Sequence, residues 1–471
     1  MNKKRLPKST YPNRYEIELD VDLDNFSYTG AQKVDLNVVE ATNNIVLNSV
    51  GIEVTKAKIQ TTKQDIPLEV NYIEEDEKIV FESQETLSEG VYELYLEFNS
   101  EITNDLKGFY KSSYMSEDGE KKWIATTQFE PTAARSAFPC WDEPEYKAIF
   151  SMTIITDEKY LRVSNEMVVE EEKVENNKLR TKFADSMKMS SYLVAFVIGD
   201  LEATVVGKSK TTDIRIIHRP GFSHQTSYAG TAAIKLLDFF EDYYKIPYPG
   251  TKLDLIAIPD FAMGAMENVG AVTFRENLLL FDKDKATRSE LDRSITVIAH
   301  ELAHMWFGDL VTMKWWDGIW LNEAFASLME VIASYNTYPE FKQWNAMNMS
   351  RTAGFSIDSL ENSRPVEFDV ETPDQAEEMF DVLTYEKGST VLRMFQMFIG
   401  EEAFQNGVEA YLNKFKFENT NSSDLWDALS EASNQPLNKI LPFWIREKGY
   451  PFLQVDCSNN FLTIKQKPFL L

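Results

Sequence analysis

The feature that most constrains the fold is a change of pattern near residue 203. Before it, strand-length segments such as RYEIELDVDL and YELYLEFN carry β-branched and aromatic residues in alternation or in runs. After it, segments with helical spacing predominate, beginning with TSYAGTAAIKLLDFFEDYY. Because strands and helices segregate along the chain, we expect an α+β protein. Its N-terminal domain should be an antiparallel β-sheet, a saddle or a sandwich, followed by a mainly helical domain.

The length of 471 residues is too great for one ordinary domain. We expect an N-terminal β domain at 1–202 and a helical domain at 203–448, with helices at 289–307, at about 322–336 and several more between residues 384 and 447. After Gly449 the segments PFLQVDC and FLTIKQKPFLL again have the pattern of strands. The segment 449–471 is too short to be a domain, so we interpret it as the incomplete start of a third β-domain.

Charge and cysteine usage limit the partners. The net charge of −27 would repel a phosphate backbone, which argues against nucleic-acid binding. The sequence contains no run of 18 apolar residues and no apolar segment after its basic N-terminus, so we expect neither a membrane partner nor a signal peptide. Cys140 and Cys457 lie far apart and form no metal-like spacing. A reducing, cytoplasmic location fits this pattern.

Two of the four histidines lie in the pentapeptide HELAH. Within the predicted helix, Ile295, Ile298 and Leu302 follow the spacing of an apolar face. His300 and His304 are four residues apart and therefore neighbours, roughly opposite that apolar row. Gly308 would stop this helix shortly afterwards.

Two imidazoles on one helical face can share a zinc ion, and Glu301 beside them takes the position of a general base that acts on a metal-bound water. Glu323 begins a second helical stretch, with 18 residues between it and His304. A turn and a returning helix would bring its carboxylate to the imidazoles. The sequence therefore predicts one Zn²⁺ per chain, held by two histidines and a glutamate with one position open.

Other interpretations of these residues remain open. H-E-x-x-H alone also fits an amphipathic helix with two surface histidines beside an ordinary glutamate. Glu330 shares a helix face with Glu323 and stays unassigned. His218 and His224 lie in HRPGFSH, which we interpret as a loop, and are expected to be structural or surface residues.

Several segments together resemble the M1 (gluzincin) zinc aminopeptidases, of the aminopeptidase N type. They are HELAHMWFGDLVT, WLNEAFA after the 18-residue gap, GAMEN at 264–268, TQFEPTAARSAFPCWDEPEYKAIF at 127–150, SSYLVAFVIGDLE at 190–202 and YEKGS at 385–389. Their order matches the family, and the resemblance covers essentially the whole chain. It implies a thermolysin-like helical catalytic domain that hydrolyses the N-terminal residue from peptides with a free N-terminus.

The resemblance also implies roles for individual residues. Glu267 and Glu130 would bind the substrate ammonium, Gln128 and Met263 would border the pocket for the first side chain, and Gly264 would let the substrate backbone approach. Tyr385 would stabilise the oxyanion, with Glu301 as the base. The implied substrate-binding positions are Gln128, Glu130, Met263, Gly264, Ala265, Met266, Glu267 and Asn268.

The chain departs from the family in its length. Family members usually continue with a small β-domain and a helical domain, so we expect either a truncated or split form, which need not be active alone, or a partner chain that supplies the rest.

Three other functions compete with that of an aminopeptidase. A leukotriene A4 hydrolase-type enzyme, which combines epoxide hydrolase and aminopeptidase activities, usually has G-G-M-E-N where this chain has Ala265. An endopeptidase would need no pair of carboxylates for an amine, and the third alternative is a non-catalytic binding module.

Overall fold

The computed structural model describes residues 5–61, 64–458 and 461–471. These residues divide into two compact units. The first comprises the described residues up to Asp238 together with Tyr248–Met305, and the second comprises Phe239–Pro247 and Trp306–Leu471.

The first unit is rich in strands, as the pattern before residue 203 predicts, and its strands continue beyond that residue. They are β1 (Thr10–Asp22), β2 (Ser27–Val38), β3 (Thr42–Asn48), β4 (Glu53–Gln60), β5 (Ile66–Ile73), β6 (Lys78–Leu87), β7 (Gly90–Glu101), β8 (Gly108–Met115), β9 (Lys121–Gln128), β10 (Ile149–Asp157), β11 (Leu161–Ser164), β12 (Val168–Lys173), β13 (Lys178–Phe183), β14 (Phe196–Gly199), β15 (Glu202–Ser209), β16 (Thr212–His218), β17 (Lys252–Ile258), β18 (Ala265–Met266) and β19 (Ala271–Arg275).

The largest sheet has ten strands in the order β12-β13-β10-β1-β2-β7-β4-β5-β6-β3. Tyr15, Ile17, Leu19 and Val21 alternate along β1 and are buried, because successive side chains of a strand point to opposite faces. The expectation of a purely antiparallel sheet needs one correction: β1 pairs with β10 in parallel. Strands paired in this way need a long crossover, and the chain between β1 and β10 supplies it.

Two smaller sheets complete the first unit, a four-stranded one (β11-β14-β9-β8) and a five-stranded one (β15-β16-β17-β19-β18). In the latter, β17 pairs in parallel with both β16 and β19, and all seven of its residues are buried. A central parallel strand reads as a nearly continuous apolar run, which explains the segment KLDLIAI. The boundary near residue 202 coincides with the start of β15 and stays a prediction.

Helices α1 (Ser227–Tyr244) and α2 (Arg288–His304) follow the predicted periodicity. Helix α2 begins with a capping box in which the Thr287 hydroxyl accepts from the Glu290 N–H and the Glu290 carboxylate accepts from the Thr287 N–H. The predicted end of α2 at residue 307 was wrong, because the helix ends at His304. Gly308, at a φ of +138°, lies in the turn that follows, where its N–H donates to the carbonyl of Val311.

The second unit is mainly helical. Its helices and strands are α3 (Trp320–Thr337), α4 (Gln343–Asp358), α5 (Pro373–Glu378), α6 (Gly388–Ile399), α7 (Glu401–Lys414), α8 (Ser422–Ser433), α9 (Leu437–Arg446), β20 (Thr312–Met313), β21 (Asn419–Thr420), β22 (Tyr450–Ser458) and β23 (Phe461–Phe469).

Aromatic stacking fills the core of this unit. Phe307 stacks on Phe325 of α3 at a centroid distance of 4.1 Å, and Trp320 stacks on Trp426 of α8 at 4.9 Å. Stacked rings bury large apolar areas with a defined geometry. The expected fold class, a β-sheet-rich N-terminal part followed by a helical part, is confirmed.

Candidate active site

The two histidines of HELAH lie in the last turns of α2. Their ring centroids are 4.7 Å apart with an interplanar angle of 73°. His304 is 1% exposed, His300 is half-buried and Glu301 between them is buried. Ile295, Ile298 and Leu302 are fully buried on the same helix. Two imidazoles this close together fit the donor set of a zinc ion, which takes nitrogen and carboxylate oxygen ligands.

The carboxylate of Glu267 lies beside His304. Strand β18 pairs with β19 so that Met266 lies opposite Thr273, and Glu267 follows directly. Glu267 is 3% exposed, and its Oε1 lies 3.8 Å from His304 Nδ1. This distance is too long for a hydrogen bond, but it places a buried carboxylate in the electrostatic field of the imidazole. The structure therefore brings together two of the predicted site residues that lie far apart in sequence.

The turn after Glu267 is held tightly. Asn268 Nδ2 donates to Thr273 Oγ1 at 3.3 Å, and Asn165 Nδ2 donates to the Val269 carbonyl at 2.9 Å. At Gly270 φ is +74°, and a Cβ there would lie 2.0 Å from the carbonyl oxygen of Asn165. Only glycine fits this position. The hydrogen bonds of Asn268 and Asn165 hold the turn, and with it the backbone from which the Glu267 side chain extends.

A buried lysine on β17 fastens the same turn. Lys252 Nζ donates to the carbonyls of Gly270 (2.5 Å) and Ser164 (2.9 Å) and to Asp254 Oδ2 (2.7 Å). Burial lowers the pKa of the Lys252 amine. Burial also opposes ionisation of Asp254, but Lys252 and Arg215 outweigh it and keep the pKa of that carboxyl below its usual range. A paired, hydrogen-bonded charge can stay inside the unit.

The sequence analysis did not identify Asn165 and Lys252 as residues that hold the turn next to Glu267. A lysine and an aspartate two residues apart in the otherwise apolar run KLDLIAI were the available signal. Buried charges in a central strand need partners, and here one partner is the turn that carries Glu267.

Strand β9 brings the segment QFEP next to GAMEN. Gln128 ends this strand, is 6% exposed, and its Nε2 lies 3.3 Å from the sulfur of Met266. Glu130 follows two residues later and is 8% exposed. Met266 and Asn268 are each 1% exposed. The predicted substrate-binding positions Gln128 and Met266 are therefore in contact.

Met263, which precedes GAMEN, and the first two residues of GAMEN are more open. Met263 is 50% exposed, and Gly264 and Ala265 are half-buried. The Gly264 carbonyl accepts from the Arg275 N–H at 2.9 Å, which attaches this residue to β19. A Cβ at Gly264 would meet only Leu278 Cδ1, at 3.8 Å. Neither the backbone conformation nor the chain's own packing therefore requires glycine here.

In the second unit, Glu323 lies in the first turn of α3 and is 2% exposed. Its N–H donates to the Ile319 carbonyl at 3.1 Å. Tyr385 is half-buried at the centre of a π-helical turn, Leu383–Lys387, which leads directly into α6. Single π-turns are rare in proteins, and those that occur often lie at functional sites. A π-turn has no sequence signal comparable to H-E-x-x-H.

The remaining histidines lie outside this region. His218 ends β16 rather than lying in a loop, is fully buried, and its ring nitrogens lie 2.7 Å from Thr204 Oγ1 and 2.8 Å from the Arg219 carbonyl. This geometry confirms its structural role. His224 is exposed, in a short 3₁₀ turn (Ser223–Gln225).

Two family models match the chain. The model described as the peptidase M1 N-terminal domain matches residues 11–193, and the peptidase family M1 domain matches residues 228–444. The chain therefore belongs to peptidase family M1, whose members are zinc metalloenzymes.

Curated relatives carry aminopeptidase names. The chain is 41% identical over 471 residues to "Aminopeptidase M1" of Arabidopsis thaliana, covering 99% of this chain and 53% of the relative. It is 38% identical over 474 residues to "Puromycin-sensitive aminopeptidase" of Caenorhabditis elegans, covering 99% and 50%. The chain thus spans about half the length of the curated relatives that it matches. No helix in the described part of the chain is long and apolar enough to cross a membrane.

Proposed function

We propose that the chain is a zinc-dependent aminopeptidase that removes the N-terminal amino acid from peptides. One observation carries this proposal: the buried Glu267 carboxylate lies 3.8 Å from His304, a candidate zinc ligand. An exopeptidase has to bind the substrate ammonium one residue away from the scissile carbonyl. A desolvated ammonium needs charge-assisted partners, and a fixed carboxylate next to the metal position provides one.

His300, His304 and Glu323 are the proposed zinc ligands. Two imidazoles and one carboxylate make up a donor set of the kind that catalytic zinc sites use. When bound, zinc supplies Lewis-acid chemistry that lowers the pKa of a water and polarises the substrate carbonyl. The ligand set leaves one of the four usual positions for reactants.

Glu301 and Tyr385 are the proposed catalytic residues. The Glu301 carboxylate accepts a proton from the attacking water and delivers it to the leaving amine. The Tyr385 phenol donates a hydrogen bond to the oxyanion that forms at the former carbonyl oxygen. Glu130 and Glu267 hold the ammonium, while Gln128 and Met263 border the first side chain, and the open Gly264 edge receives the substrate backbone.

The Glu267→Gln chain should bind free-amine substrates more weakly. Glutamine keeps the shape but loses the charge, and a hydrogen bond to a charged group is worth about 1.5–3 kcal/mol. KM for an aminoacyl-arylamide should therefore rise about 10- to 100-fold. Steady-state kinetics measure this effect, and Glu101→Gln, at the exposed end of β7, serves as the control that keeps the wild-type KM. An unchanged KM in Glu267→Gln would show that this carboxylate does not bind the amine.

A leukotriene A4 hydrolase-type enzyme is less favoured, because Ala265 replaces the glycine usual in those enzymes and the curated relatives above are named aminopeptidases. An endopeptidase would not need the fixed Glu267. A panel of aminoacyl-arylamides, free or N-acetylated and with or without a chelator, separates these activities. We expect turnover of free substrates only, and its loss with the chelator. Turnover of acetylated substrates would favour an endopeptidase, and zinc content without any turnover would favour a binding module. The cytoplasmic location and any partner chain remain predictions.

A further inference from the structure

Residues before and after Tyr385 are both attached to one short segment of the chain. The segment runs from Asp358, the last residue of α4, to Arg364. Arg364 pairs with Asp381, four residues before the tyrosine, and Asp358 pairs with Lys387, two residues after it. We call these four residues the brace. All of them lie in the second unit.

The first half of the brace organises the start of the π-turn. Asp381 Oδ1 accepts from the N–H groups of Leu383 (2.9 Å) and Thr384 (3.1 Å), so it acts as a cap for the turn. Arg364 Nη2 donates to Asp381 Oδ1 at 2.5 Å and to Thr384 Oγ1 at 3.0 Å. One guanidinium therefore holds both the capping carboxylate and a side chain of the turn itself, as its fixed fork of donors allows.

The second half is buried. Lys387 is 9% exposed and Asp358 is 2% exposed, with Nζ–O distances of 3.0 and 2.9 Å to the two carboxylate oxygens. Lys387 also donates to the carbonyls of Glu447 and Gly449, and Asp358 accepts from the Gly449 N–H at 2.8 Å. The charges are thus paired and hydrogen-bonded inside the unit, which favours a single geometry.

Helix α3 limits the turn from another direction. A Cβ at Gly388, directly after the π-turn, would lie 2.6 Å from the Cβ of Ala324, the residue after Glu323 on α3. The chain here approaches α3 as closely as glycine permits. The turn is therefore restrained at its start, at its end and against α3, and Tyr385 lies between these restraints.

We propose that Arg364 and Asp358 are positioning residues for Tyr385, which act through Asp381 and Lys387 to hold the π-turn in the geometry that catalysis needs. This inference rests on the proposed function, in which the Tyr385 phenol stabilises the oxyanion. A small displacement of such a donor lowers kcat, because its hydrogen bond has to be aligned with the oxyanion of the transition state rather than with the carbonyl oxygen of the bound substrate. Substrate binding should change little.

Arg364→Met tests the first half of the brace, and Arg364→Lys is its conservative partner. Asp358→Asn/Lys387→Met removes both charges of the second half together and leaves no unpaired charge buried. Glu409→Gln, which removes the exposed Lys245–Glu409 ion pair in the same unit, is the control. Each variant is made in the full chain, alone and combined with Tyr385→Phe. The readouts are kcat, KM and hydrogen exchange of the amides of residues 383–388.

We expect Arg364→Met and the double variant to lower kcat about tenfold or more, because small misplacements of a catalytic group have effects up to about 100-fold. KM should stay within about threefold, amide exchange in the turn should accelerate, and Arg364→Lys should recover much of kcat. Combined with Tyr385→Phe, the brace variants should lower kcat no further, as residues acting through one group are not additive.

The outcomes separate this inference from the proposed function. If Tyr385→Phe lowers kcat but the brace variants do not, the brace proposal is overturned and the function stands. Additive losses in the combined variants also overturn it, because the brace would then act elsewhere. If Tyr385→Phe alone has wild-type kcat, the role of the tyrosine in the proposed function fails, and the brace proposal fails with it.

Discussion

Glu301→Gln is expected to keep its metal and lose catalysis by about 10²- to 10⁴-fold in kcat, the range that general acid–base groups contribute. Glutamine has nearly the same volume, so the buried site beside His300 and His304 stays packed. It cannot accept a proton, and the attacking water would lose its base. Arylamide hydrolysis gives kcat, and elemental analysis of the same samples gives the zinc content.

The control for this variant lies on the same helix. Glu290→Gln changes the exposed third residue of α2, where glutamine also serves in a capping box, and should leave kcat unchanged. Near-wild-type turnover in Glu301→Gln would rule out this residue as the base. Loss of zinc from that variant would assign Glu301 a structural part in the metal site instead.

Removal of zinc should have the second large effect. A chelator is expected to reduce turnover to background, and added Zn²⁺ should restore it. Stability should fall as well, because an ion that binds only the folded chain adds about 4 kcal/mol at a free concentration 1,000 times its Kd. His304 is the last residue of α2 and is almost fully buried, so the loss of its metal partner should destabilise the end of this helix.

Thermal unfolding of the zinc-loaded and chelated chains measures the second part of this prediction. We expect a lower midpoint after chelation and full recovery with Zn²⁺. A chelated chain that keeps its turnover would contradict the zinc mechanism. A chain that loses stability but never turned over substrate would instead support the non-catalytic binding module.

Periodicity and motif spacing predicted a large part of the fold. Alternation along β1 and the three- and four-residue spacing in α2 are local signals, and both elements form as predicted. The end of α2 was misplaced because Gly308 belongs to a separate turn rather than to the helix end. The parallel pairing of β1 with β10 is a tertiary choice, on which alternation carries no information.

The residues of the candidate site likewise fall into those that the sequence predicted and those that only the structure identified. His300, Glu301 and His304 have a joint signature, and GAMEN drew attention to Glu267. Lys252 and Asn165, which fasten the turn after Glu267, come from distant strands and loops. The ion-pair partners of Asp381 and Lys387, on either side of Tyr385, are Arg364 and Asp358. Such contacts become visible only when the chain is folded, since their residue types are ordinary and their spacing is not periodic.

Metal content tests the central claim most directly. Elemental mass spectrometry of the dialysed chain should give about one zinc per chain, the occupancy of a single catalytic site. His304→Ala and Glu323→Ala should lose most of it, whereas His224→Ala, an exposed histidine outside the site, should keep it. A wild-type chain without metal in zinc-containing buffer, or full zinc occupancy in both ligand variants, would contradict the proposed site.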